Sequence, residues 1–188
     1  MHMEHVLLIW ASPNRDGLTA AAKNAVLRGL AAGGARADEV WLNRCAMQRC
    51  MACGDGWGLC RAEGRCVLKD DFAALYERLR AAQGLVLVTP VYWHDMAEVL
   101  KAFLDRLRRC ETAHNHALRG MQSLLVACAG GSGLGAVPCL ARMEETLDHM
   151  KMEAAERVPV TQFNRGYMLP ALEGAGRAFA AWPQTPQE

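Results

Sequence analysis

Short runs of apolar residues alternate along this chain with segments whose apolar side chains recur at the helical period. Five such runs lie at residues 6–10, 40–42, 85–89, 123–129 and 158–163. Uniformly apolar strands that alternate with helices predict a parallel sheet covered by helices on both faces. Five strands suit the doubly wound order 2-1-3-4-5, in which ligands bind where the strands end. We therefore predict an α/β fold whose chemistry lies in the loops at the carboxyl ends of the strands.

Length and charge limit the number of domains and the kinds of partner that we expect for the chain. With 188 residues, of which 52% are hydrophobic, the chain is long enough for one substantial core. We predict a single domain over residues 1–182 and a disordered tail over residues 183–188. Because 21 Lys and Arg residues nearly cancel 20 Asp and Glu residues, we expect no nucleic-acid partner. No apolar run approaches about 20 residues and the N-terminus lacks the pattern of a signal peptide, so we expect no membrane partner and a cytoplasmic location.

The loop after the first strand has the composition of a phosphate site. Hydroxyl, guanidinium and free backbone N–H groups come together there at the start of a helix, whose dipole attracts an anion. The candidate residues are Ser12, Asn14, Arg15, Gly17 and Thr19. The alternative interpretation is a polar helix cap. Because the loop lacks the signatures of triphosphate and dinucleotide loops, a monophosphate fits best.

The loop after the third strand favours a flat aromatic ligand. Two aromatic side chains follow the strand in a segment otherwise short of them, and Pro90 stiffens the loop. Backbone N–H groups after Pro90 are suited to contact a redox-active ring. The candidate ring-lining residues are Pro90, Val91, Tyr92, Trp93, His94 and Met96. The alternative is an aromatic cluster that packs the helix end, with His94 as a solvated or capping residue.

The loop after the fourth strand is rich in glycine. Glycine has no Cβ and tolerates positive φ, so the backbone of this loop can approach a ligand closely. The candidate contacts are Gly130, Gly131, Ser132 and Gly133. The alternative is a flexible turn that binds nothing.

Three segments together resemble the NADPH-dependent FMN reductase family of flavodoxin-like proteins. They are residues 12–19, residues 90–93 and the helix over residues 100–107, within a resemblance that spans about residues 5–135. The resemblance implies FMN, with its phosphate on the first loop and its ring between the third and fourth loops, and NAD(P)H stacking on that ring as reductant. It also implies a homodimer or homotetramer. Ala11 and His94 stand where many members of the family have glycine.

Four of the eight cysteines form the most distinctive stretch of the sequence. The pattern Cys50-x2-Cys53-x6-Cys60-x5-Cys66 resembles the insertion of the iron–sulfur flavoprotein branch, in which such a set ligates a [4Fe–4S] cluster near FMN. That branch has a third cysteine two residues beyond the second, whereas six residues intervene here. Four thiolates also suit zinc, and a third alternative is a set of free thiols beside the substrate. The cysteines that we interpret as small buried hydrophobes are Cys110, Cys128 and Cys139.

The four cysteines belong to an insertion over about residues 43–69, between the second strand and the second helix. A loop of this length is usually functional or disordered, and its Cys, Trp and Gly content does not resemble a flexible linker. We therefore expect packing of Trp57, a metal or a partner subunit to order the insertion. Because it leaves the strand end that faces the ligand, we expect it to overhang the FMN.

The leading functional hypothesis is an FMN-dependent NAD(P)H oxidoreductase. It would pass electrons to a quinone, a flavin, a nitro compound or a similar small-molecule acceptor. Because the flavin carries the chemistry, we predict no catalytic side chain, and the sequence shows no hydrolase signature. The alternative is an electron-transfer protein with FMN and an iron–sulfur cluster but no small-molecule turnover. A redox or metal sensor on this fold is a third hypothesis.

Overall fold

The computed structural model describes residues 2–183, and six strands and six helices follow one another along this part of the chain. The strands are β1 (His5–Trp10), β2 (Arg36–Trp41), β3 (Gly84–Tyr92), β4 (Asp95–Met96), β5 (Gln122–Ala129) and β6 (Glu153–Thr161). The helices are α1 (Leu18–Ala32), α2 (Leu59–Ala62), α3 (Phe72–Arg80), α4 (Glu98–Glu111), α5 (Ala136–Asp148) and α6 (Arg165–Ala180). A 3₁₀ turn at Leu42–Arg44 follows β2. Residues 184–188 of the predicted tail lie outside the described residues.

Five of the strands form a parallel sheet in the order β2-β1-β3-β5-β6. Numbered among themselves, these strands have the order 2-1-3-4-5, so the predicted doubly wound α/β fold is confirmed. The sheet also has a strand that the apolar pattern did not indicate, because β4 pairs antiparallel with the end of β3. This hairpin forms because Trp93 and His94 adopt positive φ angles of 49° and 67°, which reverse the chain.

Helices cover both faces of the sheet and create two separate cores. On one face, Leu7 and Ile9 of β1 pack with side chains of α3, α4 and α5. On the other face, Val6 and Leu8 pack with α1 and α6. These four of the six side chains of β1 are fully buried, although neighbours along the strand face opposite cores. This double burial is the reason that the central strands are almost entirely apolar.

The two edge strands are longer than their apolar runs suggest. β2 begins at Arg36 and β6 at Glu153, whereas the apolar patterns begin at residues 40 and 158. Each edge strand pairs with one neighbour only, and the first residues of each are only partly covered. Polar side chains are tolerated there, so apolar patterning marks only the covered end of each strand.

The helices α1 and α6 approach each other closely at two glycines. A Cβ at Gly29 would stand 2.1 Å from the carbonyl oxygen of Glu173, and a Cβ at Gly176 would stand 2.6 Å from that of Val26. The backbones can meet only because both positions lack side chains. α6 begins at Arg165 and includes Pro170 within its first two turns. Within the described range, none of the helices is long and apolar enough to span a membrane.

Candidate functional site

The loop after β1 is fixed by hydrogen bonds from β2 and the turn behind it. The Ser12 N–H donates to Asn43 Oδ1 at 2.7 Å, and the Trp41 Nε1–H donates to the Ser12 carbonyl oxygen at 2.8 Å. The Asn14 N–H donates to Ser12 Oγ at 3.2 Å. Ser12 is only 4% exposed. It is therefore the fixed centre of a loop whose outer residues face solvent.

The first turn of α1 presents N–H groups that no side chain satisfies. Gly17 is the N-cap residue in an extended conformation, and its lack of a side chain leaves the helix uncapped. Thr19 is buried in this turn, whereas Asn14 and Arg15 are exposed. Free amides at the positive end of a helix dipole are suited to bind an anion. The structure thus brings the predicted phosphate contacts together on one loop and one helix start.

Aromatic and cationic side chains surround this loop. The rings of Trp10 and Trp41 stack with centroids 4.8 Å apart and planes 10° apart. The guanidinium carbons of Arg15 and Arg44 lie 6.0 Å and 4.6 Å from the centre of the Trp41 ring. The Trp10 Nε1–H is buried and has no acceptor among the described residues. The loop therefore has cations and a buried donor close by, which suits an anionic group.

The segment after β3 is a tight hairpin rather than an open loop. Val91 pairs with Met96, and Trp93 and His94 form the turn between them. Trp93 is 97% exposed and so does not pack against a helix end, and Tyr92 is 43% exposed. Met96 is 4% exposed and its side chain belongs to the hydrophobic core. The hairpin therefore presents the aromatic side chains of Tyr92 and Trp93 to solvent, and the buried Met96 side chain attaches the hairpin to the hydrophobic core.

The glycine loop after β5 is open at its start and tightly packed at its end. A Cβ at Gly130 or Gly131 would meet no atom within 4 Å. A Cβ at Gly133 would lie 2.9 Å from a side chain at the end of β6, and one at Gly135 would lie 2.6 Å from Val91 Cγ1. The end of this loop thus packs directly on the β3–β4 hairpin, while the backbone at Gly130 and Gly131, earlier in the loop, remains accessible.

The three loops share one edge of the sheet because β1, β3 and β5 are neighbours. Pro90 in β3 pairs with Cys128 near the end of β5, so the hairpin and the glycine loop begin side by side. Ser132 is exposed at the tip of the glycine loop. The edge combines an anion site, exposed aromatic rings and bare backbone. This combination fits a ligand with a phosphate and a flat ring, as FMN has.

A buried ion pair attaches the cysteine-rich insertion to the domain. The side chains of Arg106 in α4 and Asp70 are 1% and 2% exposed, and two hydrogen bonds of 2.7 Å join them. Arg106 Nη1 also donates to the Gln48 carbonyl oxygen at 2.9 Å, and the Gln48 N–H donates to Asp70 Oδ2 at 2.9 Å. The insertion is therefore held at both of its ends by one charge pair.

Trp57 orders the middle of the insertion. Its partly buried ring packs against the core, and the Arg109 guanidinium carbon lies 4.5 Å from the ring centre. Arg61 and Arg108 lie at 5.7 Å and 5.8 Å from the same ring, and Arg109 also donates to the Gly56 carbonyl oxygen. Packing of Trp57, one of the three expected means of ordering the segment, is therefore present.

The four cysteines predicted to bind metal line a single pocket, together with a fifth. The pocket lies between the insertion and the second half of α4. Its lining sulfur atoms come from Cys50, Cys53, Cys60, Cys66 and Cys110. All are free thiols, and within residues 2–183 no three Cys, His, Asp or Glu side chains stand together as a metal site. Arg106, which lines the pocket, is the ninth residue of α4 and so lies about 12 Å along the helix axis from Glu98, the first residue. The expectation that the insertion overhangs the FMN stays a prediction.

Burial and hydrogen bonding together set the pKa values of the groups at the pocket. It raises the pKa of Cys110 to about 12, and the nearby Cys66 and Cys60 thiols act in the same direction. Burial acts to lower the pKa of Arg106, but the hydrogen bonds with Asp70 and the adjacent Cys66 outweigh it, so the pKa is raised. Burial likewise acts to raise the pKa of Asp70, and its bonds to Arg106 and the backbone lower it overall. The wall therefore holds a neutral buried thiol beside a permanent positive charge.

Two residues of these sites were not predicted from the sequence. Asn43 fixes Ser12 from 31 residues away, and only the adjacency of β1 and β2 brings the two together. The predicted strand order, which places β1 beside β2, was the one sequence signal for this contact. Cys110 was interpreted as a buried hydrophobe, and it is fully buried, but it also lines the cysteine pocket. Its position on the apolar face of α4 carries no motif.

The sequence profile described as NADPH-dependent FMN reductase matches residues 5–163. An iron–sulfur flavoprotein from Methanosarcina thermophila is 33% identical over 105 residues, which cover 54% of this chain and 51% of that protein. The chain thus spans about half the length of this curated relative.

Two solved structures share the architecture. An NAD(P)H:quinone oxidoreductase from Methanothermobacter marburgensis superposes with a TM-score of 0.72 at 18% identity, over 95% of this chain and 96% of that chain. A flavodoxin from the domain Archaea superposes with a TM-score of 0.64 at 13% identity, over 94% and 96% of the two chains. At such low identity these structures show the fold alone, which is flavodoxin-like.

Proposed function

Because the chain belongs to the NADPH-dependent FMN reductase family, we propose that it is an FMN-binding oxidoreductase that uses NAD(P)H to reduce a small-molecule acceptor. Quinones, flavins and nitro compounds are the acceptor classes that suit this chemistry. The observation that carries the proposal is the convergence of an anion site, an exposed aromatic hairpin and bare glycine backbone at one sheet edge. Doubly wound folds bind their ligands at this edge.

Each loop contributes a different interaction with FMN. The free amides at the start of α1 and the Arg15 guanidinium would hold the phosphate by charge-assisted hydrogen bonds. Tyr92 and Trp93 would flank the ring, because their exposed side chains stand beside the glycine loop. The open backbone at Gly130 and Gly131 would let the ring lie against the chain.

FMN, when bound, supplies the transfer of hydride and electrons. The chain contributes placement. Asn43 and Trp41 fix the Ser12 backbone without any ligand, so little ordering entropy is lost when the phosphate binds. The packing of Gly135 on Val91 likewise sets the spacing between the hairpin and the glycine loop. Because the flavin would carry the chemistry and the chain would only position it, the site needs no acid or base side chain.

The identity of the flavin is the first test. Protein exposed to excess FMN and FAD should retain one FMN per chain, identified by mass spectrometry of the released ligand. Retention of FAD alone, or of no flavin, would contradict the proposal.

The role of Arg15 is tested by Arg15→Ala. We expect FMN binding to weaken by about 1 to 3 kcal/mol, or about 5- to 150-fold in the dissociation constant. Arg28→Ala is the matched control, because it removes the same charge from an exposed arginine of α1 that pairs with Glu173 at 2.9 Å. Flavin fluorescence titration measures both variants. Equal dissociation constants for the two would remove Arg15 from the phosphate site.

Turnover is tested separately from binding. FMN-loaded protein should oxidise NADH or NADPH saturably, with a quinone, a flavin or a nitro compound as acceptor. If neither nicotinamide reduces the bound flavin, the oxidoreductase proposal fails while FMN binding stands.

The cysteine pocket favours a second candidate function, electron transfer between partner proteins through FMN and an iron–sulfur cluster. The donors fit such a group, because five thiols line the pocket beside a buried Arg106 Nε–H that has no acceptor among the described residues. Similarity to a protein named iron–sulfur flavoprotein supports this candidate. Structural zinc is the alternative occupant. The ligands expected from the resemblance are Cys50, Cys53, Cys60 and Cys66.

An absorption spectrum of protein purified without oxygen separates the two candidates. Flavin bands alone favour the reductase, and added broad visible absorbance favours the cluster. A variant with all four expected ligands replaced by serine provides the second comparison. It should lose metal and stability if the thiols are ligands, and it should keep FMN and most NAD(P)H oxidation if they are free.

We expect the protein to assemble as a homodimer or homotetramer. Large apolar side chains are exposed along the ligand edge and the adjoining helices, and a subunit interface would remove them from water. They are Trp93, Leu134, Val137, Phe163 and Tyr167. Light scattering after gel filtration measures the mass, and a monomer with FMN bound at all concentrations would contradict this expectation.

A further inference from the structure

The two residues that reverse the chain in the β3–β4 hairpin are poorly suited to their backbone conformation. Tyr92 pairs with Asp95, so Trp93 and His94 form a two-residue turn, and both have positive φ angles. Hairpin turns with two positive φ angles favour Asn-Gly or Gly-Gly, because the Cβ of other residues is crowded in the left-handed region. A bulky residue such as Trp93 rarely adopts it. Contacts from outside the turn must therefore hold this conformation.

The side chains of the turn do not supply this support. Trp93 is 97% exposed and His94 is exposed as well, so neither side chain is packed in the core. An exposed side chain gains little from burial that could offset a strained backbone. The turn therefore depends on contacts that other elements make with its backbone.

Helix α5 contacts the backbone of this turn at two points. At its N-cap, a Cβ on Gly135 would lie 3.1 Å from His94 Cα and 3.2 Å from His94 N. About two helical turns further along, Arg142 Nη1 donates to the His94 carbonyl oxygen. Helical side chains lean towards the N-terminus of their helix, which lets Arg142 reach back along α5. The His94 backbone thus contacts both the start of α5 and the Arg142 guanidinium.

Arg142 also reaches the residue that follows the turn. Its Nε lies 3.9 Å from Asp95 Oδ2, and Asp95 Oδ1 accepts the Met96 N–H at 2.8 Å. Because a guanidinium holds its donors in a rigid planar fork, one side chain can engage a carbonyl oxygen and a carboxylate of adjacent residues together. The pair is exposed, at 49% for Arg142 and 39% for Asp95, so it adds little to global stability. We expect its effect on the shape of the turn instead.

We propose that Arg142 is a positioning residue for the flavin ring. It holds the Trp93–His94 turn in the conformation that presents Tyr92 and Trp93 to the ring. The inference rests on the proposed FMN site and adds to it a residue of α5 that lies in none of the three ligand loops. Glycine at position 94 would adopt positive φ without support, whereas His94 requires the hydrogen bond from Arg142. Without that bond the turn relaxes, and the two aromatic side chains lose their position beside the ring.

A double-mutant cycle on FMN binding tests this role, with His94→Gly as the second change. Arg142→Ala should raise the FMN dissociation constant about 3- to 10-fold, the effect of losing one hydrogen bond. In the His94→Gly background the same change should raise it less than about twofold, because glycine keeps the turn without Arg142. Arg142→Lys retains a donor for the carbonyl oxygen and should bind FMN more tightly than Arg142→Ala.

Arg157→Ala is the matched control. Arg157 of β6 binds Glu144 of the same helix α5, and its side chain is 42% exposed, close to the value for Arg142. Its removal should leave the FMN dissociation constant within about twofold of wild type, because the two residues of this pair lie outside the hairpin. Thermal melting of the flavin-free variants reports any change in the stability of the fold.

Riboflavin, which has the ring but no phosphate, separates ring positioning from phosphate binding. Arg142→Ala should weaken riboflavin and FMN by the same factor, whereas Arg15→Ala should weaken FMN alone. Three results would overturn the role of Arg142: an unchanged FMN dissociation constant in Arg142→Ala, an equal loss in the His94→Gly background, or a loss for FMN without one for riboflavin. A lower melting temperature with unchanged affinity would also overturn it, since Arg142 would then be structural only. Wild-type protein that binds no FMN contradicts the proposed function itself.

Discussion

Replacing Asp70 by Asn would measure how much the buried ion pair with Arg106 stabilises the fold. Asn keeps the size of the side chain and removes its charge, which leaves the Arg106 guanidinium buried at 1% exposure without its counter-ion. Removing one partner of a buried pair costs about 3 to 5 kcal/mol. The Gln48 N–H still finds an amide oxygen in place of Oδ2. The new NH2 group cannot accept the bonds that Oδ1 takes from Arg106 Nη2 and the Phe72 N–H, so the loss combines the uncompensated charge with these two bonds.

The matched control is Asp38→Asn. Asp38 accepts two hydrogen bonds from Arg78, from Nε at 2.9 Å and from Nη2 at 2.6 Å, so this pair is also bidentate. Its side chains, however, are 43% exposed for Arg78 and 32% exposed for Asp38. An exposed pair contributes only about 0 to 1 kcal/mol. The two variants therefore separate the effect of burial from that of hydrogen-bond geometry.

Urea unfolding of flavin-free protein at neutral pH, followed by circular dichroism, measures both changes. A loss below about 1 kcal/mol for Asp70→Asn, no larger than for the control, would refute the argument. The pH dependence supplies a second check. Because the folded-state pKa of Asp70 is lowered, its contribution is fully present above the unfolded-state pKa and is lost as the pH falls through the folded value. The wild type and Asp70→Asn should therefore converge in acid.

Further predictions concern backbone positions. Gly29→Ala should lower the free energy of unfolding by at least about 1 to 3 kcal/mol, because its Cβ would meet the Glu173 carbonyl oxygen at 2.1 Å. Gly174→Ala, in α6 with no atom within 4 Å of its Cβ, should instead raise it by about 0.5 to 1 kcal/mol. His94→Gly should raise it by about 1 kcal/mol, because φ at this residue is +67°. Chemical denaturation measures all three, and a change of opposite sign in any of them would contradict its reason.

The fold was predictable where strands are buried on both faces. β1, β3 and β5 lie inside the sheet, and their apolar runs marked all three. The order followed from counting five strands that alternate with helices. The β3–β4 hairpin was not predictable, because its turn residues Trp93 and His94 lack the Asn-Gly pattern of such turns. Tertiary contacts impose the conformation instead: Arg142 donates to the His94 carbonyl oxygen, and Gly135 packs against the same residue.

The sequence predicted which loops form the candidate sites, but it did not predict which residues elsewhere in the chain contact those loops. The three ligand loops follow from strand ends, which the apolar pattern marks. Asn43 and Cys110 were missed because each lies beside residues distant in sequence: Asn43 accepts a hydrogen bond from the Ser12 N–H, and Cys110 lines the pocket with residues of the insertion. The course of the insertion itself depends on Trp57 packing among arginines of α2 and α4, an arrangement that has no local sequence period.

The insertion touches both candidate sites, yet its contacts separate them. Asn43, which holds the phosphate loop, follows fully buried Leu42, and the Ala46 N–H donates to Asp71 Oδ2 at 2.7 Å before the chain reaches the cysteines. These contacts fix the start of the insertion independently of the pocket. Asp70→Asn should therefore destabilise the fold while its FMN dissociation constant stays within about twofold of that of Asp38→Asn, as expected for independent sites. Flavin fluorescence titration under conditions where both variants are folded measures this, and a tenfold difference would show that the insertion couples the pocket to the phosphate loop.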